Sequence, residues 1–157
     1  MLNFLLLKCL LISFIFAVIF YSLWIFIYKQ RGVYNLQTEK DLLYQKLEKT
    51  EIYQQIRTVL KCSGKAKKIT DEGWEILSDE INRLWPNFTD KLYKLCQMSI
   101  CDYRICLLIK IRLPIKDIAS LMSMTSSGVG SVRSKLYERA FKEKKGVAEW
   151  DSIIDSL

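Results

Sequence analysis

A run of twenty residues without a charge, from Cys9 to Tyr28, constrains this chain more than any other feature. Besides its tyrosines, the run contains only two hydroxyl side chains, those of Ser13 and Ser22. A helix of about twenty residues rises about 1.5 Å per residue and so spans about 30 Å, the hydrocarbon thickness of a bilayer. The run therefore predicts a membrane anchor over residues 1–28. Aromatic residues suited to the lipid–water interface lie at its C-terminal end: Tyr21, Trp24 and Tyr28.

Two other interpretations fit this run less well. A cleaved signal peptide has a shorter apolar segment, followed by a small-x-small cleavage site, and no such site follows here. A buried core helix rarely has so long an uncharged run. Lys and Arg near the ends of a span set its orientation, and they favour the C-terminal side here. Lys8 alone precedes the run, whereas four basic residues follow it: Lys29, Arg31, Lys40 and Lys46.

The charge bias predicts a single-pass topology with the C-terminal domain in the cytoplasm. The reverse topology is the alternative. Residues 29–61 are rich in helix-forming residues and contain one glycine and no proline, which predicts a helical stalk. An apolar stripe runs along it and shifts register near Thr50. The stripe comprises Leu36, Leu43, Leu47, Ile52, Ile56 and either Val59 or Leu60.

The stripe leaves two possibilities open for the stalk. Two copies could pair through residues 33–60 as a short coiled coil, although fewer than three heptads share one register. Alternatively, a single helix packs on a neighbouring part of the same chain. A basic linker over residues 62–69 follows, in which Ser-Gly and several lysines interrupt the apolar pattern.

Residues 70–157 predict an all-helical domain, because no segment alternates with a period of two for long enough to indicate a strand. Thr70 is a predicted N-cap, and Ser99 with Asp102 forms a predicted capping box. Pro86 and Pro114 separate neighbouring helices. A last helix is expected over residues 149–157, with Trp150, Ile153 and Ile154 inward. The complete fold class is thus all-α: a transmembrane helix, a helical stalk and a helical domain.

Within this domain, residues 115–142 have the pattern of a helix-turn-helix. Ile118, Ala119 and Met122 share one face of a first short helix, and Thr125 is a good N-cap for a second. In such a unit the second helix enters the DNA major groove. Two glycines lie in this second helix, where each costs about 1 kcal/mol relative to alanine. The second helix therefore depends on packing for its stability.

The segment KDIASLMSMTSSGVGSVRSKL resembles the DNA-binding domain of LuxR-type regulators and the C-terminal region of bacterial sigma factors. Further blocks resemble a family of bacterial membrane-anchored regulators: GWEIL, WPNFTDKLYKL, DYRICLLIKIRLPIKDIASLM and the closing EWDSIIDSL. The resemblance covers residues 70–157. It implies a transcription regulator that is tethered to the bacterial inner membrane and binds DNA through a helix-turn-helix.

Basic charge is concentrated around this unit. Residues 102–145 contain ten Lys and Arg against four Asp and Glu, a net charge of +6, whereas the whole chain carries +7. Such a cluster favours contact with phosphates, although a solvated helix end is the simpler account of its last lysines. The helix preceding the unit carries Arg104, Lys110 and Arg112, for which solvent exposure and DNA contact are equally expected. Candidate DNA-binding residues are Thr125, Ser127, Gly130, Ser131, Arg133, Ser134, Lys135, Arg139 and Lys142.

These candidates have different expected roles. Ser127, Gly130, Ser131 and Ser134 face the groove and are small, so they allow close approach but supply few base-specific contacts. Arg133 is the residue expected to reach a base edge as well as phosphates. Thr125 is expected to cap the helix rather than to contact a base.

An enzyme is not expected from this sequence. The chain has no histidine, which removes the commonest general base, and it has no glycine-rich phosphate loop. Five cysteines show no C-x-x-C pair, so we expect neither a metal nor a cofactor. Candidate partners are duplex DNA, the membrane, a second copy through residues 33–60, and RNA polymerase. The alternative function is a membrane-bound interaction subunit whose helix-turn-helix does not bind DNA.

Overall fold

The structure is a computed structural model, in which eight α-helices account for most of the described chain. It describes the backbone of residues 2–61, 68–144 and 146–157, and the side chains of residues 16–29, 39–61, 68–144 and 146–157. No strand occurs in these residues, which confirms the all-helical fold class. The helices are α1 (Leu2–Glu48), α2 (Glu51–Lys61), α3 (Asp71–Leu84), α4 (Phe88–Leu95), α5 (Ile100–Lys110), α6 (Ile115–Leu121), α7 (Ser126–Phe141) and α8 (Val147–Ser156).

The chain divides into two compact units, residues 1–42 and residues 43–157. In the first unit, the described side chains from Phe16 to Tyr28 are exposed and mostly apolar. Within the described residues, no helix combines the length and the apolar character that a membrane crossing requires. Residues 9–15 of the predicted span lie outside the residues whose side chains are described.

The second unit begins with the last turn of α1, and the chain bends at Lys49 and Thr50 between α1 and α2. Thr50 occupies the N-cap position of α2: its hydroxyl donates to the Leu47 carbonyl at 2.7 Å and accepts from the Tyr53 N–H at 3.4 Å. This bend is the physical basis of the register shift that the sequence shows near Thr50.

The stripe on both sides of the bend packs within its own chain. Leu47, Ile52 and Ile56 are buried in the core of residues 43–157, and Leu43 packs against that core. Of the two possibilities left open for the stalk, the structure therefore shows intrachain packing for residues 43–60. The side chain of Leu36 and most of the predicted linker, residues 62–67, lie outside the described part of the chain.

Helix α3 packs on α4 and α5 in this unit, and the N-termini of α3 and α5 are fixed by local capping. The Thr70 hydroxyl accepts from the Gly73 N–H at 3.1 Å, and Ser99 and Asp102 form the predicted capping box, so both N-terminal predictions are confirmed. The buried side chains include Leu77 and Ile81 of α3, together with Phe88 of α4. The α4 helix ends at Leu95.

Helices α6 and α7 meet through the short turn at Met122–Met124. Ser123 has a φ of 54°, and the Met124 N–H donates to the Ala119 carbonyl at 2.9 Å, so the turn reverses the chain tightly. Ile118 and Ala119 of α6 are buried, as is Val129 of α7. The α6–turn–α7 arrangement is the helix-turn-helix that the sequence predicts, placed on a core formed by the other helices.

Helix α8 closes the domain by packing on α5 and α7. Trp150 and Ile154 are fully buried, as predicted, whereas Ile153 is only partly buried. The helix begins at Val147, two residues before the predicted start, and Gly146 is its N-cap. The preceding helix α7 ends at Phe141, where Lys142 adopts a left-handed conformation with a φ of 59°.

Candidate nucleic-acid interface

Helix α7 presents three different faces, because successive residues turn by about 100° around a helix. The buried face carries Val129, Arg133, Leu136 and Tyr137. A second face consists of small residues: Ser127, Gly130, Ser131 and Ser134. A third face is basic, with Lys135 and Arg139 four residues apart, and Lys142, the C-cap residue of α7, follows them. The second and third faces adjoin each other and together form the candidate interface.

The small-residue face is open to its surroundings. Ser127 and Ser131 are exposed, and a Cβ built on Gly130 would meet no atom within 4 Å. The Ser131 hydroxyl donates to the Ser127 carbonyl at 3.0 Å, so its lone pairs remain oriented outward. Ser134, in contrast, is partly buried. A surface of this kind allows another molecule to approach the helix backbone closely.

The N-terminus of α7 adds a favourable dipole to this face. The Thr125 hydroxyl accepts from the Gly128 N–H at 3.0 Å, which confirms the predicted cap. Ser126 and Ser127 follow it and are both exposed. Backbone N–H groups in a first helical turn point away from the helix and attract anions, phosphates among them.

The basic face of α7 surrounds a surface groove of about 460 Å³ lined by Lys135, Glu138, Arg139 and Lys142. Lys135 and Lys142 are exposed. Within the described residues, neither lies within ion-pair distance of an acid. Glu138 lies on the same side and comes within 4.0 Å of the Lys144 ammonium. Its carboxylate weakens the positive field of this basic face.

Arg139 is held by the protein itself. Its guanidinium donates to the Asp102 carboxylate at 2.9 Å and to the Gln97 carbonyl at 3.0 Å, which ties α7 to the start of α5. Burial alone would raise the pKa of Asp102, but hydrogen bonds from Ser99 and Arg139 lower it below its usual value. Arg139 is therefore a partly exposed cation with two protein partners already in place.

Arg133 lies elsewhere than the sequence analysis expected. Its side chain is 4% exposed, and its guanidinium forms a two-point ion pair with Asp151 of α8. The Nε–Oδ1 distance of this pair is 2.8 Å. Burial lowers the pKa of Arg133, yet an arginine keeps its charge. The expected contact of Arg133 with a base edge or phosphate does not fit this arrangement, because the side chain joins α7 to α8.

The sequence contains a signal for this burial. Arg133 follows the buried Val129 by four residues and precedes the buried Leu136 by three, so helical spacing places it on the inward face. Its partner, Asp151, directly follows Trp150, which is buried in the core. The charge of Arg133 favours DNA contact, whereas its helical spacing favours burial. The structure agrees with the spacing.

The three basic residues on α5 and just after it, Arg104, Lys110 and Arg112, also have protein partners. Lys110 is 1% exposed, and its ammonium donates to the carbonyls of Ile154 and Asp155 at 3.1 and 3.2 Å. Arg112 pairs with Asp155 and stacks over Tyr44, with 3.8 Å between its Cζ and the ring centroid. Arg104 pairs with Asp71. For Lys110, both expectations from the sequence are wrong, since it is neither solvated nor placed to reach DNA.

The described cysteines, Cys96, Cys101 and Cys106, carry free thiols. Burial raises the pKa of Cys106 to about 12 and also raises the pKa of Cys96, which keeps both thiols protonated near neutral pH. In the described part of the chain, no three metal-ligating side chains come together. The side chains of Cys9 and Cys62 lie outside that part.

In comparisons with known proteins, no protein-family model, curated protein or solved structure matches the chain. The resemblance to LuxR-type regulators therefore rests on the residues quoted for it.

Proposed function

We propose that this protein is a membrane-tethered DNA-binding regulator that inserts the N-terminal half of α7 into the DNA major groove. The observation that carries the proposal is the open surface of Ser127, Gly130 and Ser131. This surface lies directly after a capped helix N-terminus and beside the exposed Lys135. A major groove about 12 Å wide admits a helix, and small side chains let that helix approach closely.

Binding of this kind relies on phosphates more than on bases. Lys116, Lys135 and Lys142 are exposed and can reach the DNA backbone, and the N-terminus of α7 can accept a phosphate. Arg133, the residue suited to bidentate base recognition, is buried against Asp151. We therefore expect modest sequence discrimination, carried by serine hydroxyls and by DNA shape.

The tether in this proposal is the N-terminal uncharged run. Its described part, from Phe16 to Tyr28, exposes apolar side chains that a lipid environment would remove from water. The basic residues that follow the run favour a cytoplasmic C-terminal domain, where DNA is accessible. The proposal does not include pairing of copies through residues 43–60, because Leu47, Ile52 and Ile56 already pack in the core.

The proposal is tested by titrating labelled duplex DNA with the full-length protein in nanodiscs of neutral lipid, while salt is varied. Lys135→Gln with Lys142→Gln should weaken binding about tenfold at low salt and reduce the salt slope by about 2, since each phosphate contact contributes about 0.9. Lys49→Gln with Lys94→Gln changes two exposed lysines outside α7 and serves as the matched control.

One outcome would favour the interaction-subunit alternative. A folded wild-type protein that does not bind duplex DNA even at low salt would leave the helix-turn-helix as a packing unit. The ion pairs of Arg133 with Asp151 and of Arg139 with Asp102 are the features that support this alternative, since they occupy both arginines of α7.

A further inference from the structure

A surface groove of about 480 Å³ lies between α3 and α5, and the DNA-binding proposal does not use it. Its apolar lining comes from Trp74, Ile100 and Tyr103. Ile100, the first residue of α5, is the most exposed of these apolar residues, with 71% of its surface accessible. Polar and charged side chains also line the groove.

The walls of this groove are held in place by contacts within the domain. The Tyr103 hydroxyl lies 2.6 Å from the Ser78 hydroxyl and 2.9 Å from the Thr89 hydroxyl, and its ring stacks on Tyr93 at 5.3 Å. The capping box formed by Ser99 and Asp102 fixes the start of α5, so Ile100 is held outward rather than folded back. Preformed walls reduce the ordering cost that a bound partner has to overcome.

Charge around the groove is negative. Helix α3 contains five acidic residues and one basic residue, a net charge of −4. Asp71, Glu75 and Asp79 line the groove directly, with Arg104 as the only cation in its lining. Arg104 is already paired with Asp71, and its guanidinium carbon lies 5.1 Å from the centroid of the Trp74 ring. Glu75 and Asp79 are exposed, and no described cation lies within ion-pair distance of either.

From this combination we infer that the groove is a docking site for a partner protein that presents a basic amphipathic helix. An apolar side chain of that helix would insert between Trp74 and Ile100, and Lys or Arg residues one helical turn away would face Glu75 and Asp79. The same acidic groups repel DNA phosphates and anionic lipid headgroups, so neither nucleic acid nor membrane fits the site. The inference is independent of the proposed DNA binding, because no residue of α7 lines the groove.

The test uses a fluorescent helical probe peptide in which lysines at i−4 and i+3 flank one leucine. Full-length protein in neutral-lipid nanodiscs is titrated into the probe, and empty nanodiscs measure binding to lipid. We expect saturable binding that is lost when the lysines of the probe are replaced by glutamates. Ile100→Ser should weaken binding about tenfold, as expected for the loss of one aliphatic contact. Glu75→Gln with Asp79→Asn should weaken it about fivefold, as expected for two exposed charge pairs.

Matched variants separate the groove from general attraction to acidic surfaces. Ile76→Ser changes an exposed isoleucine of α3 that does not line the groove, and Asp90→Asn with Glu149→Gln removes two exposed acids from other helices. These controls should bind the probe as wild type does. The inference would be overturned if the control and groove variants lost equal affinity for the probe, or if Ile100→Ser bound it as tightly as wild type. The absence of probe binding to the wild type would also overturn it. DNA binding measured on the same variants should not change, so the two proposals fail separately.

Discussion

At the scale of single residues, Lys110 shows how one buried charge connects two distant segments. Its ammonium satisfies two carbonyls at the end of α8 and lies 4.8 Å from the centroid of the Trp85 ring. The carbonyl groups at the end of a helix lack partners within that helix. A cation placed there satisfies them and also interacts favourably with the helix dipole.

We predict that Lys110→Met destabilises the domain by about 2–3 kcal/mol, because the carbonyls of Ile154 and Asp155 lose a buried donor. Lys116→Met, at an exposed position on α6, should change stability by no more than about 0.5 kcal/mol. Denaturant unfolding of both variants, followed by tryptophan fluorescence, makes the comparison. Equal stability of Lys110→Met and wild type would show that Lys110 does not hold α8.

The Asp102 carboxylate links stability to pH. Its pKa is lowered in the folded state, despite burial, by the hydrogen bonds from Ser99 and Arg139. The stability it contributes is therefore complete above the ordinary carboxyl pKa of about 3.9 and is lost as pH falls through the lower folded pKa. We expect the urea midpoint to fall on acidification below about pH 4.

Asp102→Asn identifies the source of this pH dependence. The variant should be less stable than wild type at neutral pH and should lose less stability on acidification, because its side chain does not titrate. Asp90→Asn, at an exposed position on α4, should retain the wild-type profile. An equally steep acid decline in Asp102→Asn would assign the pH dependence to other carboxylates.

At the scale of elements, α7 combines poor intrinsic helix formers with firm packing. Gly130 lies on the open face, where an added Cβ meets no atom within 4 Å. Gly128 is different, since its Cβ would lie 3.3 Å from the Thr125 Oγ1 and 3.4 Å from the Met124 Cε. An added methyl group would therefore meet open space at Gly130 but would lie close to two neighbouring side chains at Gly128.

We predict that Gly130→Ala stabilises the domain by about 1 kcal/mol, the difference in helix propensity. Gly128→Ala should stabilise the domain by a smaller amount, because Thr125 and Met124 have to move slightly to admit the methyl group. Thermal or urea unfolding of the two variants in parallel checks the order. A greater gain from Gly128→Ala would contradict the described environment of these two positions.

The segment formed by the end of α1 and by α2 belongs to the domain core in this structure. We predict that Leu47→Ala, at a position 1% exposed, costs about 2–4 kcal/mol of domain stability. Leu42→Ala, at a position 50% exposed, should cost no more than about 0.5 kcal/mol. Unfolding monitored at the domain's tryptophans measures both. If Leu47→Ala changed self-association but not stability, the stripe would act between copies instead.

The sequence predicts helices well where local chemistry determines them. Thr70, Ser99 and Thr125 each cap a helix through their own hydroxyl, and a cap needs only residues within the same turn. The burial of Arg133 and Lys110 is harder to predict, because their partners on α8 are 18 and 44 residues away. Periodicity indicates that Arg133 faces inward, but only the tertiary arrangement identifies Asp151 as its partner.

At the scale of the whole molecule, charge is unevenly distributed between surfaces. Of the ten cations between residues 102 and 145, several are neutralised by partners on other helices, so the exposed positive charge near α7 is smaller than the sequence total of +6. The acidic α3 provides a surface of opposite sign. Two surfaces of opposite charge suit a protein that contacts DNA with one and a protein partner with the other.

The central claim, that α7 lies in the DNA groove, is tested most directly by site-specific photocrosslinking. A photoreactive residue is placed at Ser131 on the open face of α7 or at Ile76 on α3, in full-length protein in neutral-lipid nanodiscs with duplex DNA. We expect DNA crosslinks at Ser131 that fade as salt rises and that Lys135→Glu strongly reduces, with none at Ile76. Equal crosslinking at both positions, or none at Ser131 while circular dichroism shows a folded helical domain, would contradict the claim.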